Sequence, residues 1–285
     1  MKISLIMTSC NRQRELQRFA LALSQQKFVG EVEVVFVAQV SAQFELPESS
    51  STRIRVIERR VEGRISLAKA RNIGIRKASG EIVGFPDDDC WYEQDLLAKV
   101  AAYFEEHPNV DGICTNVWDP ESNRSLGAHR PRGITRGVSY WNVSYLGNSN
   151  GIFVRSEALK RIGEPFDEKL GVGTGIGSGE EAEFLGRILD AGCKVEYVGK
   201  LEVYHEVRTE GIEKIYSYAI GFGYVNWSFL KKGHVEVFAY LFEIVARSCT
   251  GIARYLFVRE KRVLYLARLR GIFRGCVASG RGIDS

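Results

Sequence analysis

Residues 31–40 carry Val32, Val34, Val35, Phe36 and Val37, a β-branched and aromatic run that suits a strand buried on both faces. Such a strand needs a sheet with covering layers above and below it. Its neighbours supply them. Residues 3–7 are apolar and lead into the polar Thr8, Ser9, Cys10 and Asn11, after which residues 14–26 set Leu16, Phe19, Ala20 and Leu23 on one helical face. Residues 53–57 read as a third strand, 65–77 as a helix closed by Ser79 and Gly80, and 82–85 as a fourth strand. Strands alternating with helices predict an α/β protein with a parallel sheet.

Ligands of open parallel sheets bind beyond the carboxyl ends of the strands, and three polar clusters fall there: residues 8–11, Ala38 with Gln39, and Asp87-Asp88-Asp89. Three adjacent carboxylates repel one another unless a cation or a donor-rich ligand neutralises them. Asp87 and Asp89 form a D-x-D in which one carboxylate can hold a ribose hydroxyl and the other a metal bound to a diphosphate. Mg²⁺ or Mn²⁺ suits this hard oxygen set. The structural alternative is an acidic turn capping a helix that begins near Gln94.

Further along, residues 96–105 read as a helix, 111–117 as a strand and 119–138 as a long polar loop of the kind that serves as a lid. A strand at 152–155 and a short helix precede a glycine series at 171–179 and a helix over 180–191. The glycine spacing is not that of a phosphate loop, so the series reads as acceptor-side flexibility. Glu180, Glu181 and Glu183 open the helix, where its dipole favours an ionised carboxylate fit for a general base; ordinary N-terminal helix charge is the competing reading. Strands at 194–198 and 201–204 end at His205, a candidate third metal ligand or a structural histidine. Arg64, Lys69 and Arg71 could neutralise a diphosphate or lie on a solvated helix face, and Asn72 stands out in a mostly apolar helix.

The excess of positive charge is C-terminal. Residues 206–285 hold 13 Lys and Arg against 7 Asp and Glu, a surplus of +6, whereas residues 1–205 sum to −2. Segments 212–232 and 235–274 mix these cations with aromatics and leucine, which favours amphipathic helices meeting a lipid surface over a nucleic-acid partner. A helical pair packed on the rest of the chain, or a homodimer interface, is the alternative. No segment is apolar enough to span a bilayer, and six scattered cysteines without a C-x-x-C pair suit a reducing cytoplasm.

Three stretches then carry a resemblance: Thr8 to Arg12; Ala70-Arg71-Asn72-Ile73-Gly74 with residues 78–89; and Gly163 to Glu168, Gly177 to Phe184 and Val203-Tyr204-His205. In order and spacing they resemble the inverting glycosyltransferases of family 2 over residues 1–205. The resemblance implies the GT-A fold, a Rossmann-like, mostly parallel central sheet with flanking helices, here followed by a C-terminal amphipathic helical extension over 206–285. It implies that Thr8, Asn11 and Gln39 line the nucleotide pocket, that Arg71 approaches the base or phosphates, that Asp87 and Asp88 hold the sugar nucleotide, and that Asp87 and Asp89 are the D-x-D pair. The metal, Mn²⁺ or Mg²⁺, would fall to Asp89 with Asp87 and His205. Glu181 would be the catalytic base, with Glu180 as the other candidate, because the family usually has Asp at position 181. A second departure is Ala38-Gln39-Val40, where the family commonly has an acidic residue.

The resemblance further implies a nucleoside-diphosphate sugar donor, foremost a UDP-sugar, and a glycan or polyprenyl-linked sugar acceptor. The setting would be bacterial cell-surface polysaccharide or glycolipid synthesis, in the cytoplasm or peripherally on the inner face of the plasma membrane. The competing functions are a non-catalytic sugar-nucleotide-binding protein and a phosphohydrolase, the latter disfavoured by Cys90-Trp91 directly after the triplet.

Overall fold

A computed structural model describes residues 1–48, 50, 52–126 and 131–281. Part of the 119–138 loop, residues 127–130, therefore lies outside the described residues.

The first half is the alternation expected: β1 (Lys2–Ser9), α1 (Gln13–Ser24), β2 (Glu31–Gln39), β3 (Arg53–Val61), α2 (Leu67–Ile75) and β4 (Ile82–Gly84). There follow β5 (Cys90–Tyr92), α3 (Leu96–Glu106), β6 (Gly112–Asp119), β7 (Arg124–Ser125), β8 (Thr135–Gly137), α4 (Val143–Leu146), β9 (Ile152–Arg155), α5 (Ser156–Arg161), α6 (Glu180–Asp190) and β10 (Val195–His205). Three helices close the chain, α7 (Ile212–Lys231), α8 (Val237–Arg254) and α9 (Arg259–Arg281).

The central sheet has the order β3-β2-β1-β4-β9-β6-β10-β5. From β3 to β4 the strands are parallel, as are β6 and β10, but β9 runs antiparallel to both β4 and β6. The sheet is therefore mixed. Strand direction is set by how the chain re-enters the sheet, and the apolar Ile152, Phe153 and Val154 suit either direction. Two other details escape the sequence pattern. Three residues at 90–92 form an edge strand against the end of β10, and segments 194–198 and 201–204 are one strand whose register shifts between Val198 and Glu202.

Pleating divides the side chains into two buried layers. Ile3, Leu5, Met7, Val32, Val34 and Phe36 meet Leu16, Phe19 and Leu23 of α1 on one face, together with Leu97 and Val100 of α3. Ile6, Val35 and Val83 pack on the other with Phe184 and Leu185 of α6. Ile220, Val225 and Phe229 of α7 belong to that second layer, so the C-terminal helices extend the core of the α/β part.

The C-terminal segment forms three helices where the pattern reads as two. The break at residues 255–258 contains neither proline nor glycine and has no local sequence signature. Among the described residues no helix is long and apolar enough to cross a membrane.

Candidate active site

The parallel half of the sheet brings the polar clusters together. β1 and β4 are neighbours, and beyond their ends Thr8 pairs with Asp87 in an isolated parallel bridge. From the end of β2, Gln39 Nε2 donates to Thr8 Oγ1 at 2.9 Å, while its Oε1 accepts from the Ile65 amide. Asn150, just before β9, accepts the Asp87 amide at 2.7 Å and fixes the chain as it leaves β4.

Each carboxylate of the triplet has its own partners. Asp87 accepts from Arg71 Nη2 at 2.8 Å. Asp88 accepts from Ser9 Oγ at 2.5 Å and from Arg12 Nη1 at 3.1 Å. Asp89 accepts from Arg12 Nη1 at 2.6 Å and lies 3.0 Å from His205 Nε2 at the end of β10. Burial pushes Asp88 up to about 6, against the pull of Ser9 and Arg12. Burial also acts to raise Asp89, but the bond and charge of His205, with Arg12, outweigh it and hold the carboxyl at about 2. The same contact raises His205 above its ordinary value against the effect of burial.

Arg71 links the triplet to the start of α6. Its guanidinium is 0% exposed, and Nη1 lies 3.6 Å from Glu180 Oε1, too far for a hydrogen bond. Nε and Nη1 of Arg71 and Oε2 of Glu180 are buried without hydrogen-bond partners among the described residues. Glu180 is only 2% exposed, and burial, reinforced by the charge of Glu181, raises its carboxyl to about 8. Here burial outweighs the helix dipole. Glu181, one residue on, is half-buried and accepts from Ser149 Oγ at 3.1 Å.

The glycine series is a packing device more than a flexible one. Gly171 has φ +92°, and a β-carbon there would sit 2.7 Å from the Glu180 carboxyl carbon. Gly179 (φ +96°) caps α6 where a β-carbon would meet Val225 and the Gly221 carbonyl of α7. Ser178 Oγ also donates to the Tyr218 carbonyl of α7 at 3.1 Å. Helix α7 thus props the turn that aims Glu180 and Glu181.

Of the residues singled out from sequence, Thr8, Gln39, Arg71, Asp87, Asp88, Asp89, His205 and Glu180 fall into one connected cluster, with Glu181 beside it. Asn11, Arg64 and Lys69 are exposed and, among the described residues, make no side-chain hydrogen bond or ion pair with the cluster. Asn72 is buried and clamps the Phe166 backbone from both sides, donating to its carbonyl at 2.8 Å and accepting from its amide at 3.0 Å. Arg12, Ser149 and Asn150 were not singled out. Arg12 ends the polar stretch after β1, but only folding turns it and Asn150 toward the triplet.

Among the described residues no three His, Cys, Asp or Glu side chains form a ready-made metal cage. The fit of a metal rests instead on a pair. Asp89 Oδ1 and His205 Nε2, 3.0 Å apart, are the groups that would hold a divalent cation, and Mg²⁺-like ions take few protein ligands when substrate phosphates complete the shell.

The model of "Glycosyl transferase family 2" matches residues 4–163. The chain belongs to glycosyl transferase family 2. An uncharacterized glycosyltransferase of Haemophilus influenzae is 32% identical over 112 residues, 39% of this chain and 37% of that protein. The minor teichoic acid biosynthesis protein GgaB of Bacillus subtilis is 24% identical over 151 residues, 51% of this chain and 16% of GgaB. These matches thus span little more than a third of the relatives at most.

Two solved structures share the GT-A fold. TarS 1-349 of S. aureus in complex with UDP-GlcNAc has a TM-score of 0.57 at 16% identity, covering 96% of this chain and 92% of that one. The mannosyltransferase PcManGT of Pyrobaculum calidifontis, in complex with GDP-Man and Mn²⁺, has a TM-score of 0.61 at 15% identity, covering 99% and 88%. Within the family 2 match lie Thr8, Asn11, Gln39, Arg71 and the aspartate triplet. Glu180, Glu181 and His205 lie beyond it.

Proposed function

We propose that this family 2 glycosyltransferase moves a sugar from a nucleoside-diphosphate donor to an acceptor hydroxyl with inversion, using a divalent cation held at Asp89 with His205 and Asp87. The observation that carries the reading is the Asp87–Arg71–Glu180 chain. A buried arginine with unmet hydrogen-bonding capacity ties a strand-end aspartate to the helix that presents Glu181. Buried polar groups left unpaired concentrate where a protein stores strain or binds a charged ligand.

The residues divide the work. Thr8, Gln39 and Asn11 line the nucleotide side, with Asp87 and Asp88 toward the ribose and diphosphate. When bound, the cation neutralises charge on the departing nucleoside diphosphate. Arg71 holds Asp87 in place and adds positive potential beside the phosphates. Glu181 takes the acceptor hydroxyl proton, because Glu180 is sealed from solvent and, with its carboxyl raised to about 8, holds its own proton at neutral pH. The deprotonated oxygen attacks the anomeric carbon from the face opposite the leaving group, and configuration inverts.

A UDP-sugar donor and a surface-polymer acceptor, glycan or polyprenyl-linked, are supported by likeness to TarS with UDP-GlcNAc and to GgaB. The Mn²⁺ of PcManGT supports the metal. The test is turnover of a UDP-sugar panel with and without chelator. Loss of transfer on chelation and in Asp89→Ala is expected; full activity in both sinks the metal role, and tight donor binding without product makes the chain a binding protein instead.

A further inference from the structure

We propose that the α8–α9 hairpin docks this protein onto the surface of an anionic phospholipid bilayer. Helix α8 is apolar on two sides. Leu241, Ser248 and Gly251 turn inward, whereas Phe238, Phe242, Ala246, Cys249 and Ala253 share the opposite face at helical spacing and carry no charge. The Phe238 and Phe242 rings stack 6.2 Å apart in solvent, with Phe242 62% exposed. The stripe runs into the break between the helices, where Phe257 is 96% exposed between exposed Leu256 and Val258. Beside it, Leu241 and Val245 of α8 and Leu269, Phe273 and Val277 of α9 line an open apolar groove of about 750 Å³, with Arg270 also in its lining.

Charge identifies the occupant. Residues 237–281 hold nine Lys and Arg against two Asp and Glu, a surplus of +7. Among the described residues only Arg247 of the nine has a carboxylate partner, Glu243 at 2.6 Å. Cations without a carboxylate partner, interleaved with exposed aromatics, match headgroup phosphates above acyl chains. A second copy placed on the same face would bring two segments of charge +7 together, which opposes a symmetric dimer. With no helix fit to span a bilayer among the described residues, the hairpin lies on the surface.

The test is flotation of the full chain with vesicles of phosphatidylcholine plus phosphatidylglycerol against phosphatidylcholine alone. Binding to the anionic vesicles only, weakening with salt, is expected. The double variant Phe242→Asp with Phe257→Asp should lose at least about tenfold in partition, and Arg270→Gln about fivefold. Should the double variant fold poorly by its melting profile, Arg270→Gln decides alone. Wild-type protein that fails to float, floats equally on neutral vesicles, or binds unchanged in these variants overturns the proposal. So does a dimer in sedimentation that the Phe variant abolishes without any vesicle binding. Docking of the hairpin is independent of the transfer chemistry, and nucleoside-diphosphate binding measured in the same preparations keeps the two failures distinct.

Discussion

Arg71 Nη2 donates to Asp87 Oδ1 at 2.8 Å, and the arginine that makes this bond has no exposed surface. An arginine pays a large desolvation penalty when buried, and the bond to Asp87 offsets part of it. Removing it leaves Asp87 without its counter-charge and opens a void beside Glu180. Arg71→Met should destabilise the fold by about 3 kcal/mol or more, read by urea unfolding. A change under about 1 kcal/mol would show that the arginine is dispensable to folding.

Glu180 supplies a pH dependence. Its carboxyl is raised from an ordinary 4.5 to about 8 in the folded chain, so the folded state holds more protons than the unfolded state across that interval. The stability this group contributes is complete below about 4.5 and is lost as pH rises through about 8. Glu180→Gln cannot ionise. The melting temperature of the wild type relative to that variant should therefore fall from pH 6 to pH 9; a constant difference would mean that Glu180 is ionised throughout.

Glu181→Gln should lower kcat by about 10²- to 10⁴-fold while leaving the KM for donor little changed. A general base acts on the acceptor proton and adds nothing to donor binding. The mirror experiment is Glu180→Gln. If that substitution causes the larger fall in kcat with intact folding, the two roles are reversed.

Asp89→Asn removes a charge from the pair with His205. UDP with Mn²⁺ at about 100 times its Kd should stabilise the wild type by about 2.7 kcal/mol and the variant by little. Equal thermal shifts in both proteins would remove Asp89 from the metal and donor site.

Much of this was legible in sequence because it depends on local pattern. The β-branched run at 31–40, the amphipathic face of Leu16, Phe19 and Leu23, and the polar breaks after each strand are short-range signals. They place Thr8, Gln39 and Asp87 at one sheet edge without any knowledge of packing. Strand β5 was missed because three residues are too few to show a period, and the hairpin break at 255–258 because nothing local marks it. The glycines at 171 and 179 were read as flexibility because sequence does not show what presses against them.

Amino-acid order by itself determined the α/β alternation, the acidic triplet at a strand end and the basic aromatic C-terminus, since periodicity and charge are properties of neighbours. Only the tertiary structure decided that Arg12 and His205 converge on Asp89, that Arg71 is buried between Asp87 and Glu180, and that α7 props the turn before α6. Those contacts join residues far apart in the chain. Desolvation then made Glu180 and Glu181, adjacent and identical in kind, into one sealed carboxyl and one half-buried.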